Sequence, residues 1–454
     1  MTFSVTPQAA VDRFLSSLTE PARLMVAVSG GGDSIGLLFF LHEAMRDGRH
    51  PHVSLCAATV DHGLRPESSA EAAAVAAFCE ERAIQHRILV WEGPKPVSGL
   101  AAAAREARYG LLADAAEVFG AGLILSAHTA DDQVETAAMR AERNGDALSP
   151  GLAGMAPAVL LGGRVWLVRP LLDCRRAHIR ALLEDSGIGW FDDPSNDNAA
   201  YERPRQRRRL RGADMAAALD DIRRAQRRRY ALSAAAASFI RDGVTVHGGA
   251  VAVVERTALQ DVDDDVLAYG LAALAAVIGG RPHPLSANRM LQVVGLCRTE
   301  ELTRLNIGRV VFDQRREALF LTREARGILS LTLAAGGSGI WDGRYRVENA
   351  GDSPVTVLAA GSPGQRIAPS LFPDVPSGVA LRAAAALPAC SSAAGPVPLT
   401  GPPRPSWLTV GYFLAPFDRF LPLFDAMLAR EIALKFARPC AGIPFRGLST
   451  ENEC

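Results

Sequence analysis

Six residues, Ser29-Gly30-Gly31-Gly32-Asp33-Ser34, bring together backbone freedom, two hydroxyls and one carboxylate. Three consecutive glycines permit positive φ and remove the Cβ atoms that would keep an anion away from the main chain. Backbone N–H groups at the start of a helix converge on phosphates. Ser29 and Ser34 can add hydroxyl donors. An acid among phosphate ligands makes chemical sense beside a metal ion, so Asp33 is the candidate Mg2+ ligand of a Mg-nucleotide site. The phosphate loop that ends in Gly-Lys-Ser/Thr is excluded, since no Lys follows the glycines and the chain has only Lys95 and Lys435. A glycine-rich turn without a ligand is the plain alternative.

Three further groups could take part in chemistry. Asp61-His62-Gly63-Leu64-Arg65 offers Asp61 to a metal or nucleotide and Arg65 to a phosphate; alone, it is also an ordinary strand-end turn. In His128-Thr129-Ala130-Asp131-Asp132-Gln133-Val134-Glu135, the acids Asp132 and Glu135 are three apart and share a helix face. Two carboxylates there suit a metal ion or a cationic amine, and helix capping is the competing reading. Arg105 and Arg108 in Arg105-Glu106-Ala107-Arg108-Tyr109 have the same spacing and can meet phosphates, or form a solvated basic face.

These groups need a scaffold that collects them. Residues 24–28, 53–60, 87–91, 123–126 and 165–168 read as strands, and 35–46, 69–82, 100–118 and 131–143 as helices. Such alternation predicts an α/β domain with a doubly wound parallel sheet covered by helices on both faces. Ligands of these sheets bind at the carboxyl ends of the strands. The glycine loop, Asp61 and His128 each follow directly after a strand, which places all of them on one edge.

The domain is expected to span 1–212. Its end holds a loop-like stretch from Trp190 to Asn198, and a basic run follows: residues 201–230 contain eleven Arg against four acids. Arg203, Arg205, Arg207, Arg208, Arg209 and Arg211 are its densest part, suited to nucleic-acid phosphates or to a solvated linker. Residues 213–326 read as a mostly helical, Ala-rich second domain that contacts RNA. Residues 327–454 read as a small β-rich or partly irregular region.

Bulk properties are consistent with this layout. A chain of 454 residues forms two or three domains, and 48% apolar with 22% charged content is that of a soluble globular protein. The formal net charge of +0 excludes a global pull towards nucleic acid, so any such contact is local. The seven cysteines include no C-x-x-C pair and no metal-ligand spacing. No signal peptide or membrane-length apolar run is present, which makes a reducing cytoplasm the simplest compartment. Oligomeric state is open, a homodimer included.

Over residues 20–211 the sequence resembles the tRNA(Ile)-lysidine synthetases, within the PP-loop ATP pyrophosphatases (adenine nucleotide alpha hydrolase-like fold). The motifs that carry the resemblance occur in order: SGGGDS at 29–34, VDHGLR at 60–65, REARY at 105–109, AHTADDQVET at 127–136, GLAGM at 151–155, RPLL at 169–172 and DDPSNDN at 192–198. WDGRYRV at 341–347 is also family-like. The basic segment departs from the family's R-N-x-x-R: Arg203 and Arg207 keep the spacing, but Pro204 stands in place of Asn.

The resemblance implies an enzyme using ATP and Mg2+ on tRNA(Ile) with a CAU anticodon, and free L-lysine. It implies that the wobble cytidine is adenylated with loss of pyrophosphate. Lysine then displaces AMP at C2 of the base, giving lysidine. On this reading Ser29, Gly30, Gly31, Gly32, Asp33, Ser34, Asp61 and His128 bind ATP, and Asp33 acts through the metal. Asp132 and Glu135 clamp the amine, Arg105 and Arg108 assist the chemistry, and Arg203, Arg205, Arg207 and Arg208 hold the tRNA. A thiolating relative is disfavoured by the missing C-x-x-C. An ammonia-dependent synthetase of small metabolites would leave the basic run without a role, and a non-catalytic tRNA binder would not need an intact loop with Asp33 and Asp132.

Overall fold

Strand β1 (Ala22–Ala27) carries Leu24, Met25 and Val26, each with no exposed surface, so it is buried on both faces. In the computed structural model, which describes residues 5–63, 68–144, 150–192, 202–210, 214–361, 371–391, 397–399, 405–440 and 442–447, the chain forms two units. The first holds 1–229, 422–424 and 441–454, and the second holds 230–421 and 425–440.

In the first unit, α1 (Pro7–Ser17) leads into β1, and α2 (Gly32–Arg46), β2 (Val53–Asp61), α3 (Ser68–Glu80), β3 (Gln85–Val90), α4 (Leu100–Phe119), β4 (Leu123–Leu125) and α5 (Ala130–Asn144) follow. Next come β5 (Ala158–Leu161), β6 (Val165–Val168), α6 (Arg176–Asp185) and α7 (Glu202–Arg209). The strands lie in the order β5-β6-β4-β1-β2-β3, all parallel except β5, which runs antiparallel to β6. The chain winds outward from β1 to β3 and then crosses back to β4 on the other side of β1. The carboxyl ends of β1 and β4 therefore flank the topological switch point, where such sheets leave a crevice. Leu24 pairs with Leu123 and Val26 with Leu125, so the loops after both strands open at the same level.

The strands and helices read from the sequence in this unit are present, with shifts of a few residues at their ends. Helices α1, α6 and α7 and strand β5 stand outside that reading. Helix α6 packs on α2 through Ile179 and Leu183, both fully buried. Gly36 permits the approach: a Cβ there would lie 2.5 Å from Ile179 Cγ2. We expect Gly36→Ala to destabilise the protein by up to about 2 kcal/mol, overpacking outweighing the gain in helix propensity. It should also lower activity by shifting α6; a melting curve and an activity assay check both.

Helix α8 (Met215–Gly243) has residues in both units. The stretch expected to be helical does hold α9 (Arg256–Gln260), α10 (Asp264–Ile278) and α11 (Ala287–Arg298). It also holds an antiparallel sheet of β7 (Val244–His247), β8 (Val251–Glu255), β9 (Arg304–Ile307), β10 (Val310–Gln314) and β11 (Ala318–Arg323), in the order β7-β8-β11-β10-β9. Beyond it lie two small antiparallel sheets, one built on Ser338–Trp341, Tyr345–Asn349 and Leu408–Tyr412. The WDGRYRV motif is structural here. Buried Asp342 accepts from Arg323 at 2.9 Å and from Arg344 at 2.6 Å, and Gly343 turns at φ +69° against the Gly280 carbonyl.

Candidate active site

The glycine loop leaves β1 at its carboxyl end. Gly30 takes φ +84°, a left-handed conformation that glycine adopts at little cost, and Gly31 is the N-cap of α2. Among the described residues no side chain caps this helix, and the first N–H groups of any helix lack intrahelical partners. Donors so placed at the positive end of a helix dipole are suited to an anion. Ser34 braces the loop: its hydroxyl donates to the Gly31 carbonyl at 2.9 Å, accepts from the Ser29 N–H at 3.1 Å and lies 3.2 Å from the Ser29 hydroxyl. Trp190 and Phe191 lie against the loop. Phe191 N–H donates to the Gly30 carbonyl at 3.0 Å, and a Cβ on Gly32 would sit 3.3 Å from the Trp190 ring.

Asp33 stands on the first turn of α2, and Asp132 and Glu135 on α5, beyond the end of β4. One side chain joins all of them. Arg176, the first residue of α6, donates from Nε to Asp33 Oδ2 at 2.8 Å and from Nη2 to Asp132 Oδ1 at 2.9 Å. Its Nη1 lies 3.7 Å from Glu135 Oε1. Its backbone N–H donates to Asp131 Oδ2 at 2.9 Å, so Asp131 holds the start of α6 in place. Asp132 Oδ2 accepts from the N–H and the hydroxyl of Thr129, both at 2.9 Å, which leaves Oδ1 turned to Arg176. Burial works against the Arg176 charge, but Asp132 and Asp33 together hold it above its usual value. Burial likewise pushes the Asp33 carboxyl up, and Arg176 opposes it.

The reading from sequence did not include Arg176. It lies 143 residues from Asp33, and only an Arg pair shortly after RPLL hinted at it. The GLAGM motif resolves into a support for α5: Gln133 clasps the backbone of Met155 in both directions, at 3.0 and 2.6 Å, beside Gly154 at φ +63°.

Other candidate residues lie elsewhere. Asp61 accepts from the Gly63 N–H at 2.8 Å and the hydroxyls of Ser68 at 2.7 Å and Ser69 at 3.2 Å. The Ser68 bond first, and then the others, hold its carboxyl below the usual range, so its oxygens serve the start of α3. His128 Nδ1 lies 3.1 Å from the Ser126 hydroxyl at the end of β4. Arg105 and Arg108 gather at Tyr109, with guanidinium carbons 5.0 and 5.4 Å from its ring centre. Below them, buried Arg169 of RPLL donates to the Ala156 carbonyl at 2.7 Å, and burial brings its pKa down to about 10. Of the basic run, Arg205 is exposed, while Arg207 turns to Glu135, its Nε donating to Oε1 at 2.8 Å. Arg65, residues 193–198, Arg211 and the side chains of Arg203 and Arg208 lie outside the described residues.

No group of three His, Cys, Asp or Glu side chains among the described residues would enclose a metal. Asp33 Oδ1 is nevertheless buried without a hydrogen-bond partner beside the glycine loop. That fits Mg2+, which commonly takes one or two carboxylates and completes its shell with phosphate oxygens and water. No helix among the described residues is long and apolar enough to cross a membrane.

A family model described as a PP-loop domain matches residues 4–213. A tRNA(Ile)-lysidine synthase from Rhizobium meliloti (strain 1021) is 41% identical over 95% of this chain and 96% of its own length. One from Mesorhizobium japonicum is 39% identical over 97% of this chain and 98% of its own. Another, from Brucella canis, is 35% identical over 92% and 96%. With a PP-loop domain matched over its first half and this likeness along nearly its whole length, the chain belongs to the tRNA(Ile)-lysidine synthase family, ligases that modify tRNA with ATP.

Proposed function

We propose that this enzyme joins the amine of free L-lysine to C2 of the wobble cytidine in tRNA(Ile) with a CAU anticodon. The observation that carries the reading is the convergence of Asp33, Asp132 and Glu135 on one cation beside the phosphate loop. Carboxylates that gather around one cation can also hold an ammonium group, by charge and by hydrogen bonds from its N–H groups.

In the first step the cytidine O2 attacks the α-phosphate of ATP, the bond to the β-phosphate breaks and pyrophosphate leaves. The open amides of loop 29–34 and the Ser29 hydroxyl would bind the phosphates, and Ser34 braces the loop that presents them. Mg2+ on Asp33 would neutralise charge on the leaving pyrophosphate. In the second step the lysine amine, having given up a proton, attacks C2 and AMP leaves. Asp132 and Glu135 orient the amine, and either carboxylate can accept its proton. Arg205 and its neighbours on α7 supply local positive charge for the RNA backbone. Free tRNA, lysine and ATP meet in the cytoplasm, where we place the reaction.

Mass spectrometry of tRNA(Ile) treated with the protein, ATP and lysine should show lysine added to the anticodon cytidine. An unchanged tRNA overturns the proposal. Asp132→Asn and Glu135→Gln should impair use of lysine more than adenylation, so adenylated tRNA accumulates at low lysine. An equal fall in both steps would instead assign these carboxylates to the nucleotide half of the reaction.

A further inference from the structure

Among the described side chains of helix α7, Arg207 reaches the site just described. Arg207 Nε donates to Glu135 Oε1 at 2.8 Å, and Arg176 Nη1 approaches that same oxygen. The Glu135 side chain is 4% exposed, and that of Arg207 is 35% exposed. A carboxylate so enclosed needs a cation at all times, because an unpaired buried charge is strongly unfavourable. Arg207 is the nearer of the two cations that serve it in the free protein, at 2.8 Å against 3.7 Å for Arg176. In the reaction proposed above, the substrate amine would serve as the cation. Beside the more distant Arg176, that oxygen thus has two partners that can exchange, Arg207 and the substrate amine.

The rest of α7 indicates what moves Arg207. The helix reads ERPRQRRR, and its Arg205 and Arg209 side chains are exposed. Arg209 meets Glu142 of α5 at 2.9 Å, in a solvated pair of little strength. A polyanion docking on this helix meets several guanidiniums, and among the described ones Arg207 is shared with the carboxylate site. A phosphate that draws Arg207 outward leaves Glu135 Oε1 for another cation.

We infer that Arg207 is a positioning residue that couples RNA docking on α7 to amine binding at Glu135. The inference rests on the proposed role of Glu135 as an amine ligand. Coupling of this kind is reciprocal, so lysine also tightens tRNA binding by the same factor.

The test is equilibrium dialysis of radiolabelled lysine against the full-length protein without ATP, in the presence and absence of tRNA(Ile). For the unaltered protein tRNA should raise lysine affinity roughly tenfold. Arg207→Ala should bind lysine roughly tenfold more tightly without tRNA, and tRNA should add little more. Arg207→Lys, which keeps a cation, should restore part of the dependence; Arg207→Gln, which keeps a polar but uncharged side chain, should behave like the Ala variant and serves if that variant does not fold. Lysine affinity that is unchanged or weaker in both neutral variants, with the tRNA effect retained, overturns the coupling. Glu135→Gln separates the two readings. If it leaves lysine binding intact, the amine-clamp assignment fails; if it weakens binding while the Arg207 variants change nothing, only the coupling fails.

Discussion

Asp33→Asn is expected to lower the rate of pyrophosphate release by about 10²–10³, the usual effect of removing one preorganised electrostatic contact from a transition state. The fold should survive, and stability should respond with a definite sign. Burial raises the Asp33 carboxyl above its ordinary value. A carboxyl raised on folding contributes stability that is complete below its unfolded pKa of about 3.9 and is lost as pH rises through the folded value. At neutral pH the charged, buried group therefore opposes folding. Arg176 keeps Asp132 and Glu135 as partners when Asp33 is neutralised. The Asn variant should melt at or above the temperature of the unaltered protein at pH 7, and the difference should vanish in acid. Near-normal pyrophosphate release would remove Asp33 from the reaction. A melting temperature that falls at pH 7 would make it a structural ion-pair partner instead.

Arg176→Ala should have the second large effect, on both reaction steps. The substitution leaves Asp33, Asp132 and Glu135 facing one another without their common guanidinium. Removing one partner of a buried pair costs about 3–5 kcal/mol. The site is partly open and Glu135 retains Arg207, so a loss of up to about 3 kcal/mol is expected. Arg176 is also what opposes the upward push of burial on Asp33. Without it, Asp33 needs a higher pH to ionise, and the acid limb of the pH–rate profile should move upward. Arg176→Lys retains the charge but cannot form the planar, multiply bonded bridge. It should recover most of the stability and only part of the rate. An Ala variant with an unshifted acid limb would reduce Arg176 to a packing role.

Much of this site is legible in the residues because its signals are local. A glycine triplet between an apolar strand and a helix can be recognised within ten residues. So can two acids three apart at a helix start. The five strands read in the first domain and the helices between them lie where the periodicity puts them, Val165–Val168 to the residue. Other elements escaped for physical reasons. Strands β10 and β11 are buried at every position, so they show no alternation of apolar and polar residues and stand in an Ala-rich stretch of helical character. Asp61 has the residue type and strand-end position of a ligand, yet its oxygens are taken by Gly63, Ser68 and Ser69.

By itself, then, the chain's order of residues determined the glycine loop between β1 and α2, the paired acids of α5, the doubly wound α/β class of the sheet and the family. Those depend on contacts between near neighbours and on period. Tertiary structure alone decided which cation the acids share. Arg176 and Arg207 reach Asp33, Asp132 and Glu135 across 143, 44 and 72 residues of chain, because α6 packs on α2 at Gly36 and α7 lies against α5. Charges meet through space, and no local pattern records which arginine of a basic run will turn inward to a buried carboxylate.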